Sequence, residues 1–254
     1  MSRFLRTAVL VLAALLFAVP LVSSGVFGFS LPTTGWTLDP LLGAVQNSQF
    51  RDQLLASLTL ALLTTLAALA LLIPTLLHLH LRLPQALPVA EALSVLPMVV
   101  PAVALVNGAN LTFRATVPGF LTSMYSLVPF YVVLTLPLVY RSLDAGFRAI
   151  DLRTLVQAST SLGAGPIRTL LRVVLPNLRA AMLTASLLSV TLVLGEYALA
   201  TLLLHNTYPV FLAQTGQDSP HAAAALAVLT LLGTWLLLSA FSLAGRRPRT
   251  GATT

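Results

Sequence analysis

The chain has 254 residues, of which 57% are hydrophobic and only 8% charged, with mean hydropathy +0.92; soluble domains carry roughly 25% charged residues, so the composition argues against a soluble enzyme. Fourteen basic residues face seven acidic ones for a formal charge of +7, and every basic residue is Arg; without Lys the chain contains neither a P-loop nor a Schiff-base nucleophile. Zero Cys excludes disulfides, CxxC redox pairs, Cys-ligated zinc and thiolate nucleophiles.

A bilayer core about 30 Å thick needs roughly 20 apolar residues in helix. Six segments meet that length, at 7–26, 54–77, 88–106, 120–140, 180–204 and 222–243, which predicts an all-α membrane protein with six transmembrane helices. The first exceeds the usual 7 to 15 residues of a signal-peptide core, and is read as an uncleaved helix although Ser23 to Gly25 are small enough for cleavage. Residues 27–52 have turn composition with a short helix around Leu41 to Gln46, and residues 205–221 are read as a loop in which Val210 to Ala213 dips into the interface. Prolines 97, 101, 129 and 137 predict kinks in the third and fourth spans.

The arginines orient the bundle. With the N-terminus inside, twelve of fourteen lie in inner segments, including Arg246, Arg247 and Arg249 of the tail, and only Arg51 and Arg114 lie outside. Both termini are therefore predicted to be cytoplasmic. Charges at membrane edges, with no basic stripe interleaved with stacking aromatics, argue against nucleic-acid binding.

The inner loop 141–179 carries the most pattern. Asp151 is placed to cap a helix whose apolar face is Leu152, Leu155, Val156 and Ser159, ending where Gly163 takes a left-handed conformation. Pro166 then starts a second helix with Ile167, Leu170, Leu171 and Val174 as its apolar side, lying along the membrane surface until Pro176 turns the chain inward.

Elsewhere, Glu196 is the outstanding ionisable residue inside a span, with no Arg in that span to neutralise it. It either faces a water-filled path, where it would attract a cation, or serves as hydrogen-bonded glue between helices. Tyr197 follows it, and Asn107 and Asn110 flank Gly108, either lining the path or serving as polar loop residues. Glu91 reads as a solvated carboxylate at the inner mouth, and Asp144 as a cap or solvated charge. His78 and His80 form H-x-H without further ligands nearby in sequence, so no metal site is expected.

Gln157-Ala158-Ser159, three residues, Gly163, nine residues and Val173-Val174-Leu175-Pro176 resemble the EAA loop, E-A-A-x(3)-G-x(9)-I-x-L-P, of ABC-importer membrane subunits. Ala158, Gly163, Leu175 and Pro176 match; Gln157 for Glu and Ser159 for Ala depart, which bears on one charged contact with the ATPase. The resemblance covers roughly Leu54 to Leu243, and implies the type I ABC importer permease fold over residues 54–243, preceded by the first helix and outer loop (1–53) and followed by a cytoplasmic tail (244–254). It further implies a multi-pass subunit of the bacterial inner membrane whose coupling helix, including Leu155, Val156, Gln157, Ala158 and Ser159, lodges in a separate ABC ATPase. ATP and Mg bind to that partner and no cofactor to this chain, which is not itself an enzyme. A second permease subunit and an external substrate-binding protein complete the assembly. Leu194-Gly195-Glu196-Tyr197 and Thr207-Tyr208-Pro209-Val210 resemble the polyamine (spermidine/putrescine) branch; related permeases for ferric iron, thiamine, phosphonate, sulfate or molybdate share the length and topology. A non-ATP secondary transporter or channel is the alternative from another class.

Overall fold

The computed structural model describes residues 3–32, 35–117 and 119–245. The tail arginines Arg246, Arg247 and Arg249 lie outside the described residues. The described chain is all-α apart from one two-stranded ladder. In order it forms α1 (Arg3–Phe29), β1 (Ser30–Leu31), β2 (Gly35–Trp36), α2 (Asp39–Gln46), α3 (Ser48–Arg82), α4 (Leu87–Val99), α5 (Ala102–Thr116) and α6 (Leu127–Arg148). Then follow α7 (Leu152–Ser161), α8 (Pro166–Thr169), a π-helical turn (Leu170–Val174), α9 (Leu175–Gly195), α10 (Ala198–Leu202), α11 (Tyr208–Asp218) and α12 (Pro220–Gly245).

Four stretches among the described residues are long and apolar enough to cross a membrane: Leu5–Phe29, Ser48–Arg82, Met124–Arg148 and Pro166–Gly195. A fifth is the pair α4–α5, bent by 93° at its break, if the pair counts as one span; Pro220–Leu236 is a shorter apolar helix. Large apolar side chains point outward, as at Leu10, Leu16, Phe17 and Val22 of α1, all more than half exposed. Such continuous apolar surface aggregates in water and is solvated by lipid, so the architecture fits a multi-pass membrane protein.

The chain divides into two compact units. The first comprises Met1–Leu55 and Thr207–Ser239. Its core gathers Ala44, Tyr208, Phe211, Ala222 and Leu226, with Phe50 packed edge-on to Tyr208 and Phe211 at 6.0 Å between ring centres. Here α1 and α12 approach closely, because Gly28 has no side chain: a Cβ there would lie 2.5 Å from the Ala225 backbone nitrogen. His221 Nδ1 lies 2.6 Å from the Phe27 carbonyl, and its ring stacks on that of Phe27. The short helix expected near residues 41–46 is α2, started by Pro40 at its first turn. The ladder β1–β2, with Ser30 opposite Trp36, was not anticipated. The stretch 205–221 also differs from expectation, forming the eleven-residue helix α11 rather than a loop. Pro209 sits in its first turn, where a missing N–H costs nothing, and Tyr208, Val210 and Phe211 are buried.

The second unit comprises Ala56–Asn206 and Ala240–Thr254. Its core is Ala68, Leu72, Ile73 and Leu76 of α3, Val139, Tyr140, Leu143 and Phe147 of α6, and Leu178 and Ala185 of α9, closed at one end by Leu87, Leu152 and Val174. The register of the α6–α9 pair is set by Gly146, where a Cβ would lie 2.3 Å from Ala181 Cβ, and by Ser142 Oγ donating to the Ala181 carbonyl at 3.0 Å. Small residues at such a crossing let two backbones approach, which is how helices gain packing energy in lipid.

Three helix ends differ from the sequence expectation. The third segment is not one kinked helix: Val100 is extended ahead of Pro101, and the direction changes by 93°. The residue before proline is driven out of helical geometry, which a hydropathy profile does not register. The fifth segment ends at Gly195 rather than continuing to 204, and begins at Pro166 rather than 180. Consequently Pro176 does not turn the chain; it follows the π turn Leu170–Val174, whose wider spacing accommodates the missing proline N–H one turn on. Of the apolar side expected for the second loop helix, Val174 is buried and Leu170 half-buried, while Ile167 and Leu171 are exposed.

Candidate functional site

The helix α7 forms as its residues dictate. Asp151 Oδ1 accepts the N–H of Thr154 at 3.3 Å, and the chain leaves the helix through Gly163 at φ +79°, a conformation that costs other residues about 1–2 kcal/mol. One face packs inward: Leu152 and Ser159 are buried and Leu155 and Val156 half-buried. The Ser159 hydroxyl, which stands where the EAA pattern has Ala, meets Thr169 Oγ1 at 2.9 Å, tying α7 to α8. Ser159 therefore supplies a buried hydrogen bond between the two loop helices.

The other face of α7 stays open. Gln157, Ala158 and Gly163 are exposed, and Leu162 is 88% exposed beside them. Further along, Leu175 is half-buried against the core and Pro176 exposed, so these two serve the foot of α9 rather than the same surface. A groove of about 430 Å³ flanks α7, lined by Leu81, Arg82, Arg153, Val156 and Gln157. Two guanidinium groups and no carboxylate line it, so the groove is cationic.

Beneath α7, the sequence pointed to isolated polar residues and the fold joins them. His80 Nε2 lies 2.8 Å from Asp144 Oδ1, and Arg148 Nε donates to Asp144 Oδ2 at 2.8 Å. Asp144 is therefore neither a cap nor a solvated charge, but a mostly buried acceptor bridging α3 to the last turn of α6. The His80 ring also stacks on Phe147 at 5.3 Å. Among the described residues no group of three or more His, Cys, Asp or Glu is arranged to hold a metal. Glu91 pairs with Arg141 at 3.2 Å; both side chains are well exposed, and such a pair is worth at most about 1 kcal/mol.

At the opposite end of α9, Glu196 occupies the break itself rather than the interior of a span. Its carboxylate accepts the N–H of Ala198 at 3.1 Å and that of Leu199 at 3.1 and 3.2 Å, satisfying donors that the first turn of α10 leaves free. The short helix α10 packs on α5. Tyr197 is 44% exposed next to Glu196. Asn107 is exposed on α5, whereas Asn110 donates to the Val106 carbonyl at 3.0 Å and is spent within its own helix.

Sequence reasoning missed Tyr131. It is 1% exposed on α6, and its enclosed hydroxyl faces the carboxylate of Glu196. Thr64, Thr65, Thr135 and Ser189 are also buried, with Thr65 Oγ1 donating to Ser189 Oγ at 3.0 Å. Weighing hydroxyls inside apolar runs, and not only ionisable groups, was the signal available. No family model matches the chain.

Proposed function

We propose that the chain is the membrane permease subunit of an ATP-driven importer, with α7 as the helix that couples it to a separate ATPase. The observation that carries this reading is the construction of α7: anchored through Leu152 and Ser159, ended by a left-handed Gly163, and presenting Gln157, Ala158 and Leu162 outward from an arginine-rich loop. An ordinary loop helix buries its large apolar residues; here Leu162 is left for another surface.

In this reading six spans cross the bacterial inner membrane, with the α4–α5 pair as one of them, α12 as the last and both termini cytoplasmic. The partners are two ATPase subunits that bind ATP and Mg, a second permease subunit and an external substrate-binding protein. The cargo is a polyamine or another small cation, supported by the carboxylate at the α9–α10 break; ferric iron, thiamine, phosphonate, sulfate and molybdate are the alternatives. ATPase closure would pull α7 and rock α6 and α9 between outward and inward openings. A second reading, a secondary transporter, draws on the discontinuous helices at Val100–Pro101 and Gly195–Glu196, which mark ion and substrate sites in that class.

Co-purification from source membranes separates the two. The parent chain should bring down an ATPase, and Ala158→Arg, at an exposed position that the fold tolerates, should not. A folded parent chain that captures no ATPase overturns the importer reading in favour of the transporter.

A further inference from the structure

From Pro166 to Gly195, α8, the π turn and α9 form one uninterrupted helix of 30 residues. At 1.5 Å per residue it is about 45 Å long, whereas the hydrocarbon core of a bilayer is about 30 Å thick. The excess falls at the Pro166 end, because no charged residue lies between Arg179 and Glu196 while Arg168, Arg172 and Arg179 crowd the other end. The first turns therefore stand at the headgroup layer. Their orientation is fixed from behind: Thr169 and Val174 are buried, Leu170 is half-buried, and Thr169 Oγ1 bonds to Ser159. Outward go Ile167 at 72% and Leu171 at 56% exposure, with Arg168 and Arg172 exposed beside them. Each pair is four residues apart, so an apolar row runs next to a guanidinium row. An open groove of about 550 Å³ lies over this face, lined by Gly165, Pro166 and the same four side chains. No carboxylate lines it, and neither arginine has an ion-pair partner among the described residues.

We infer that this face is a binding site for an anionic glycerophospholipid, its phosphate between Arg168 and Arg172 and the first acyl carbons over Ile167 and Leu171. The two arginines are one turn, about 6 Å, apart along the helix, so a single phosphodiester accepts from both guanidinium groups. An apolar row beside a basic row matches an amphiphile of opposite charge, which supplies hydrocarbon and phosphate together. A free phosphate would satisfy the arginines and leave Ile167 and Leu171 in water. A phosphatidylcholine would bring a trimethylammonium group up to two guanidinium groups of the same sign. An acidic protein partner fits the place less well, because the helix that carries this face runs on without a break into the uncharged stretch beyond Arg179. The inference goes beyond the importer reading and does not depend on it, since it needs only a chain seated in a bilayer.

The test is titration of the full chain in a neutral detergent with phosphatidylglycerol, read as bound lipid by native mass spectrometry, with melting temperature confirming that each variant folds. Phosphatidylcholine is the zwitterionic control, and glycerophosphoglycerol carries the same phosphodiester without acyl chains. Phosphatidylglycerol should bind in clear preference to both. The double variant Arg168→Gln with Arg172→Gln should lower its affinity at least roughly ten-fold, since each arginine near an anionic lipid surface contributes about five-fold. Arg82→Gln with Arg153→Gln removes the same charge from the exposed arginines of the groove beside α7 and should leave the affinity near that of the parent. Ile167→Ser with Leu171→Ser should weaken lipid binding and leave glycerophosphoglycerol unaffected. Equal affinity for the two lipids, parent-like binding without Arg168 and Arg172, or an equal loss without Arg82 and Arg153 overturns the site. Glycerophosphoglycerol binding as tightly as the lipid makes it a free-anion site and overturns the lipid assignment. Parent-like lipid binding by the Arg168 and Arg172 variant together with loss of ATPase capture would give the face to a protein partner instead.

Discussion

His80 Nε2 lies 2.8 Å from Asp144 Oδ1, joining α3 to α6 across sixty-four positions of sequence. Asp144 also accepts from Arg148, and its side chain is only 12% exposed, whereas that of Arg148 is 61% exposed. The burial difference ranks the two partners. Asp144→Asn keeps the shape, loses the charge and turns half of the acceptor into a donor, and should cost about 1–3 kcal/mol. Arg148→Gln should cost less than Asp144→Asn, since its group is solvated. Reversible unfolding in mixed micelles measures both, and equal losses would show that the ranking by burial is wrong.

Gly146 against Ala181 is a packing prediction with its own rescue. Gly146→Ala puts a Cβ 2.3 Å from that of Ala181, closer than carbon atoms approach, so α6 and α9 must part. Overpacking of this kind costs about 1–3 kcal/mol, and the double variant Gly146→Ala with Ala181→Gly should recover most of it. Additive losses in the double-mutant cycle would place the damage elsewhere.

Gly163 should be intolerant for a conformational reason alone. Its φ of +79° lies in the left-handed region, and a Cβ there would meet nothing within 4 Å. Gly163→Ala therefore costs about 1–2 kcal/mol through backbone strain, and Gly163→Asn, which tolerates that region better, should cost less. In the proposed complex the alanine variant should also capture less ATPase than the asparagine one.

His205 provides a pH dependence. It is 9% exposed, its backbone N–H donates to the Ala200 carbonyl at 2.8 Å, and its Nε2 stands 3.5 Å from Ser126 Oγ. Burial lowers its pKa below the ordinary value near 6.5, partly opposed by a hydrogen bond to the Leu121 carbonyl. The unfolded chain therefore binds the proton first as pH falls. The stabilising contribution is complete above pH about 6.5 and is lost as pH drops from there toward the lowered folded value. His205→Gln should flatten the melting temperature across that window; an unchanged slope would assign the dependence to another group.

Local features were legible in sequence because neighbouring residues determine them. Asp151 caps α7, Gly163 ends it, its inward face has the expected spacing, and Pro166 begins a helix in its first turn. Segment ends were legible only where hydropathy and helix geometry coincide. Gly195–Glu196 interrupts a helix inside an apolar run, and α11 forms from residues whose Pro, Gly and Asn content resembles a loop. Glu196 was singled out by its charge, while Tyr131 was not, because a tyrosine in an apolar run carries no local sign of what it will face.

Composition alone settled the solvent. With so few charges and such long apolar runs, the unfavourable exposure of hydrocarbon to water makes helices in lipid the available solution, and the lack of Lys and Cys closes off several chemistries before any fold exists. Tertiary structure decided which polar groups work together. Asp144 with His80, Ser159 with Thr169 and Tyr131 with Glu196 are set by the crossing and register of packed helices. Register depends on small contacts such as Gly146 on Ala181, where the fit of two surfaces, rather than the hydropathy of either, determines the free energy.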